Sequence, residues 1–133
     1  MKSPSIISIE TPGLLSTVQD SGRWGHQQYG VSVSGAMDLM SLHWANRLVG
    51  NQSTAGALEV TLTGPTLHFE NGARFAVCGA AFDLKLDDHH VSLDTLINAG
   101  PGQTLTFGRR TSGARAYLAV AGGFDVAPVL GSR

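Results

Sequence analysis

Apolar and polar positions follow two rhythms along this chain, and the change falls near residue 57. From Ala57 onward the rhythm has period two. Ala57–Thr63 (ALEVTLT), Phe82–Asp87 (FDLKLD) and Thr104–Phe107 alternate, as strands with one buried face do. Ala114–Ala121 is a more continuous apolar run, which predicts a central strand. Thr66–Glu70 and Arg74–Val77 flank Glu70-Asn71-Gly72, a turn of the Asn-Gly kind that predicts a hairpin between them. Val91–Leu93 and Leu96–Asn98 predict two short strands, with turns at Asp87-Asp88 and at Ala99-Gly100-Pro101-Gly102. Upstream, Ile6, Ile7 and Ile9 predict a short first strand closed by Thr11-Pro12-Gly13, and Leu14–Val18 a second. Short strands with turns at intervals of about eight to twelve residues indicate an all-β barrel or sandwich.

Helical periodicity occurs once. Leu42, Ala45 and Val49 recur at helical spacing, as do Met37, Met40, Trp44 and Leu48, and predict a helix over about 37–49. Asp38 or Ser34 can cap its start, and Gly50-Asn51 ends it. Its apolar positions cover more than half the circumference, so the helix is expected to be largely buried. Asn46 falls two turns after Asp38, roughly on the same face.

Thr17–Asp38 (TVQDSGRWGHQQYGVSVSGAMD) fits neither rhythm. Gly22, Gly25, Gly30 and Gly35 are too frequent for a helix, and the polar content is too high for a buried strand. Val31-Ser32-Val33 is a brief extended piece within it. Gln19, Asp20, Arg23, Trp24, His26 and Tyr29 place an amide, an acid, a cation, an imidazole and two aromatics on a loop whose backbone glycine sets free. A plain connection in which Asp20 and Arg23 pair is the competing reading.

Composition narrows the function classes. At 133 residues the chain has the length of one domain, with 42% hydrophobic and only 14% charged residues. Part of its surface is therefore expected to meet a partner. Net charge is −1 and the nine Lys and Arg form no stripe, which argues against nucleic acid. A single cysteine, Cys78, excludes an internal disulfide and fits a reducing compartment. No apolar run approaches a membrane span, so a cytoplasmic location is expected. His89 and His90 are adjacent and point apart, and His26, His43 and His68 lack ligand spacing, so no metal site is expected. Gly100-Pro101-Gly102-Gln103-Thr104 lacks the lysine ending of a phosphate loop. Cys78 reads as a buried thiol rather than a nucleophile. Glu59 faces away from Leu58 and Val60, either on a solvated strand face or as a carboxylate within a barrel mouth, where burial would raise its pKa. Arg109-Arg110 reads as solvated charge or as a hold for an anion.

Several segments, in order, resemble one family. Thr17-Val18-Gln19-Asp20-Ser21-Gly22-Arg23 is similar to its T-V-Q-D-x-G-R signature, and Ser34-Gly35-Ala36-Met37-Asp38 to its S-G-A-[ML]-D element. Ala45–Asn51, Ala57–Leu62, Gly113–Val126 and Val129–Arg133 continue the match. The chain resembles the biotin-dependent carboxyltransferase family that includes the C subunit of 5-oxoprolinase, also called KipA-like or allophanate hydrolase subunit 2. The resemblance implies a mainly β fold, a cyclophilin-like β-barrel with one principal helix. Family members continue past the Gly-Ser-Arg segment, so residues 1–133 are expected to be the N-terminal portion of such a domain, inactive in isolation.

The implied activity is that of an ATP-dependent amide-bond hydrolase, a complex that opens 5-oxo-L-proline to L-glutamate. Its implied partners are a KipI-like protein and a lactam-utilisation-type protein, the other two components of a 5-oxoprolinase, with ATP bound by the complex and not by this chain alone. Two alternatives remain open: a urea carboxyltransferase domain using biotin, and a KipA-like regulator that binds a KipI-like kinase inhibitor. The candidate catalytic residues are Asp20, Asp38 and Glu59. The candidate substrate-binding residues are Gln19, Arg23 and Asn46.

Overall fold

The computed structural model describes residues 7–11, 15–19 and 38–123, with 11 and 15–19 described through the backbone alone. The elements follow as β1 (Ile7–Thr11), β2 (Leu15–Gln19), α1 (Leu39–Leu48), β3 (Ala57–Thr61), β4 (Thr66–Phe69), β5 (Ala73–Leu86), β6 (His89–Val91), β7 (Ile97–Ala99) and β8 (Gln103–Val120). Among the described residues the fold is mainly β with one helix, as the sequence indicates. The brief extended piece expected at Val31–Val33 lies outside the described residues.

All eight strands belong to one sheet, and every pairing in it is antiparallel. Its spine is the ribbon of β5 and β8, in register from Phe75 opposite Val120 to Leu86 opposite Leu105. The other edge of β8 carries two wings, with β4 and then β1 at one end and β3 and then β2 at the other. β6 and β7 pair along the remaining edge of β5. Among the described residues no pairing joins one edge of this ladder to the other. The sheet curls all the same, because Leu58 and Val60 of one wing and Leu67 and Phe69 of the other meet in a single apolar cluster with Phe75, Val77, Leu84 and Leu118.

Two expectations fail for the same reason. The sequence divides 74–87 and 104–121 into two short strands each, at Gly79 and near Gly108–Gly113, yet β5 and β8 run on through these glycines. The glycines bend the ribbon instead of ending it. Register shifts fall between Gly79 and Leu84. There a Cβ on Gly79 (φ +108°) would sit 2.6 Å from the Arg115 carbonyl oxygen, and one on Gly113 (φ +75°) 2.9 Å from the Ala80 Cα. A glycine inside a strand marks such a bulge or close backbone approach. The Asn71-Gly72 hairpin also fails, because β4 pairs with β1 and β8 and never with β5. Gly72 (φ +80°) instead turns the chain against the Ala99 carbonyl, and β5 leaves on the far side of β8. The Asp87-Asp88 turn is observed, joining β5 to β6 through Asp87 at φ +54°.

The stretch of the spine that pairs Phe75–Cys78 with Tyr117–Val120 is buried on both faces. Residues 116–120 of β8 and all five of β3 are buried. One face carries the cluster around Phe75 and Leu118. The other carries Ala57, Ala76, Cys78, Tyr117 and Ala119 against Leu42, Ala45 and Val49 of the helix segment. This explains the near-continuous apolar run at 114–121.

The helix is shorter and less enclosed than its pattern predicts. Leu42, Ala45 and Asn46 are its buried residues. Leu39, Met40 and Trp44 are exposed, Met40 at 83%. Among the described residues α1 packs against the sheet on one side only, so only one of its two apolar stripes is covered. Asp38 caps the start, accepting the Ser41 N–H at 3.1 Å and the Ser41 hydroxyl at 2.6 Å. Gly50 (φ +83°) follows the C-cap Val49, as expected of a left-handed ending. β8 ties down both ends. Tyr117 accepts the Asp38 N–H at 2.9 Å, and the Asn51 amide donates to the Val120 carbonyl at 2.8 Å.

Candidate functional site

The register of the spine sets Cys78, Tyr117 and Glu59 opposite one another across β5, β8 and β3. Directly opposed residues share a face of the sheet, and this face is the one α1 covers. Glu59 therefore lies beneath the helix at 6% exposure, beside Tyr117 at 0%. The solvated-face reading of Glu59 gives way to the buried one. A carboxylate removed from water is costly unless hydrogen-bonded. The Tyr117 hydroxyl supplies such a bond, donating to Glu59 Oε2 at 2.5 Å while accepting the Asp38 N–H. Burial, and then the bond to Glu59, push the Tyr117 phenol well above its usual value, against a smaller opposing effect of the Asp38 N–H. Tyr117 thus stays neutral and remains a donor at physiological pH.

Beside this group, at the bend of the spine, a cleft of about 400 Å³ opens between the start of α1 and the β5–β8 ribbon. Asp38 and Ser41 line one side, and Ser112, Gly113 and Arg115 line another. Arg115 precedes Tyr117 by two residues on β8 and pairs in register with Thr61. It is half-buried, and its side chain makes no hydrogen bond or ion pair among the described residues. The cleft thus brings together an unpaired guanidinium, two hydroxyls and a carboxylate whose oxygens already accept from Ser41. Such a set holds a small polar ligand by charge and hydrogen bonds.

The candidates named from sequence divide into three groups. Asp38 and Glu59 come together through Tyr117. Asn46 faces elsewhere: its side-chain amide donates to the Ser53 and Ala55 carbonyls at 3.2 and 2.8 Å. Its Oδ1 is buried and has no partner among the described residues. Gln19 ends β2 opposite Ala57, while Asp20 and Arg23 lie outside the described residues. Tyr117, Arg115, Ser41 and Ser112 were not singled out from sequence. The available signal was Arg115-Ala116-Tyr117, two polar-tipped residues two apart leading into an apolar strand.

Other residues that drew notice have simpler surroundings. Cys78 is buried, and burial, with Asp94 beside it, pushes its thiol up to about 12, so it is not a ready nucleophile. Arg110 donates to the Gly113 carbonyl at 2.6 Å. Among the described residues no cluster of three His, Cys, Asp or Glu side chains is arranged to hold a metal. No described helix is long and apolar enough to cross a membrane.

Comparison with known proteins agrees with this architecture. Over 96% of its length the chain is 46% identical to the C subunit of 5-oxoprolinase from Escherichia coli (strain K12), and it spans 41% of that protein. It is 42% identical over 97% of its length to urea amidolyase of Saccharomyces cerevisiae, of which it spans 7%. The crystal structure of the Kluyveromyces lactis urea carboxylase superposes with a TM-score of 0.87 at 42% identity, covering 96% of this chain and 11% of that one. The chain thus corresponds to less than half the length of these relatives. Residues 29–133 match the family model for the carboxyltransferase domain, subdomain A and B, and the chain belongs to that family.

Proposed function

We propose that this chain is the N-terminal portion of the C subunit of a 5-oxoprolinase. In this reading it works in the cytoplasm with a KipI-like protein and a lactam-utilisation-type protein. The complex binds ATP and opens 5-oxo-L-proline to L-glutamate at its expense. The observation that carries the reading is the 46% identity to a 5-oxoprolinase component across 96% of the chain. The buried Glu59–Tyr117 pair, with Asp38 at its exposed edge, supports it chemically. Lactam opening puts negative charge on the amide oxygen and needs protons moved, and fixed neutral donors together with a shielded carboxylate serve both needs.

Within this reading Asp38 or Glu59 handles protons, and Asp20 is the third catalytic candidate. Gln19, Arg23 and Asn46 are the substrate-binding candidates. From the sequence alone Arg23 is the candidate for the substrate carboxylate and Gln19 for the amide. For Asn46 that role would require releasing one of its two carbonyl partners, or using its unpartnered Oδ1.

A second reading rests on the 42% identity to urea amidolyase, namely carboxyl transfer from carboxybiotin to urea. One experiment separates the two. The protein at the length of its relatives is mixed with the KipI-like and lactam-utilisation-type proteins, and ADP and glutamate are followed after addition of 5-oxo-L-proline. Release that needs all three proteins is the expected result. No release, together with carboxylation of urea by carboxybiotin, would replace the first reading by the second.

A further inference from the structure

We infer that Arg115 is a carboxylate-binding residue of the cleft at the bend of the β5–β8 ribbon. Its ligand there is a small acid that carries an N–H group beside its carboxylate. The inference deepens the lactam-opening reading and rests on it for the identity of that acid.

The argument begins with what Arg115 lacks. A guanidinium presents five donors in a planar fork and cannot shed its charge. On an open surface it would need no partner, because water suffices. Arg115 is half-buried and lines a concave space of about 400 Å³. It stands on a strand whose following residues, 116–120, are fully inside. Among the described residues no carboxylate is paired with it. The carboxylate of Asp38 lines the same cleft without an ion pair to Arg115, and its two oxygens accept the N–H and hydroxyl of Ser41. Glu59 is turned to Tyr117. The backbone beneath Arg115 is held by Gly79, whose missing side chain lets β5 approach the Arg115 carbonyl. The guanidinium is thus based on a fixed strand, and its fork has no partner among the described residues.

The opposite wall selects the rest of the ligand. The Asp38 carboxylate keeps lone pairs beyond those used by Ser41, since an ionised carboxylate accepts about four hydrogen bonds. A ligand with an anionic carboxylate next to an N–H donor satisfies both walls, with the carboxylate on Arg115 and the Ser112 hydroxyl, and the N–H toward Asp38. A five-membered lactam acid such as 5-oxo-L-proline has this arrangement, its carboxylate standing on the carbon bonded to the lactam nitrogen. A neutral amide of the same ring without the carboxylate lacks one of the two holds.

The test uses the full-length protein, by itself and in complex with its partners. The Arg115 side-chain N–H resonance is assigned by its loss in Arg115→Lys and followed during titration with 5-oxo-L-proline, acetate and 2-pyrrolidinone. The two acids are expected to shift it and 2-pyrrolidinone to leave it in place. In the complex, Arg115→Gln is expected to raise KM for 5-oxo-L-proline at least tenfold with a smaller change in kcat, and Arg115→Lys to recover part of the loss. A resonance unmoved by either acid overturns the inference, as does one moved equally by 2-pyrrolidinone. An unchanged KM in Arg115→Gln, in a complex that turns over 5-oxo-L-proline, overturns it too. Should acetate shift the resonance while the complex forms no glutamate, the carboxylate site stands and the lactam-opening reading falls.

Discussion

Replacing Tyr117 by phenylalanine isolates the polar group that joins α1 to the sheet. The ring stays in its fully buried place, so packing is conserved and only the hydroxyl leaves. Two partners lose it: the Glu59 carboxylate, at 6% exposure, loses a donor, and the Asp38 N–H loses its acceptor. A buried polar group that loses a hydrogen bond costs about 1–3 kcal/mol, and more when charged. Asp38 lies at the exposed edge, where water replaces part of the loss. Together these give a destabilisation of about 2–4 kcal/mol, a large share of the roughly 5–15 kcal/mol that holds a domain folded. The midpoint of thermal unfolding is expected to fall by roughly 10 °C.

Urea and thermal unfolding of wild type, Tyr117→Phe, Glu59→Gln and the double variant form a cycle. If the carboxylate is the partner that matters, Tyr117→Phe costs less once Glu59 is already Gln, with a coupling of about 1 kcal/mol or more. A cost below about 0.5 kcal/mol, or equal costs in both backgrounds, would refute the reasoning.

The same phenol sets an alkaline limb. Its folded pKa lies above the unfolded value of about 10. The stability it contributes is therefore complete below that value and is lost as pH rises toward the folded one. Tyr117→Phe is expected to remove that slope, measured in a Cys78→Ala background, because Cys78, raised from 9.0 to about 12, titrates in an overlapping window. On the acid side, the Thr104 N–H and the Gln103 amide hold the Asp87 carboxyl below its ordinary 3.8. Its contribution is present above that value and is lost as pH falls below it, so Asp87→Asn, which tolerates positive φ, is expected to flatten the acid limb of a urea-midpoint profile. Asn46→Ala removes two donors from the Ser53 and Ala55 carbonyls and is expected to cost about 2–3 kcal/mol, with faster proteolysis at residues 51–56. Gly79→Ala drives a Cβ to 2.6 Å from the Arg115 carbonyl, whereas Gly50→Ala meets nothing within 4 Å. Both carry positive φ, so Gly50→Ala is expected to cost about 1 kcal/mol and Gly79→Ala clearly more by chemical denaturation.

What the sequence conveyed follows from which interactions are local. Alternation at 57–63 and 82–87, the cap at Asp38 and the ending at Gly50 depend on near neighbours, and these elements stand where the pattern places them. Glycines 79 and 113 read locally as breaks. Their role as close-approach points exists only once β5 and β8, distant in the chain, lie side by side. The Asn71-Gly72 hairpin failed likewise, because strand partners are chosen by the whole sheet and β8 takes β4 and β5 on opposite edges.

The candidate site shows the same division. The period-two rule puts Glu59 on the face away from Leu58 and Val60. Nothing within β3 shows that Tyr117 lies opposite it, since that pairing is set by β8 register. Asn46 and Asp38 share a helix in sequence, yet one clamps the 53–55 backbone and the other caps the helix start. Arg115 drew less notice than Arg109-Arg110, because a doublet of charge is visible in a string of residues and a cleft is not.

The most direct test of the functional account is glutamate formation from 5-oxo-L-proline by the full three-protein complex, assembled with either the wild-type protein or Glu59→Gln. The account expects ATP-dependent glutamate from wild type. It expects a fall of about a hundredfold or more with Glu59→Gln while the variant stays folded and bound to its partners. Undiminished glutamate formation by Glu59→Gln would contradict the role given to the buried carboxylate, and no glutamate from the wild-type complex would contradict the proposed reaction itself.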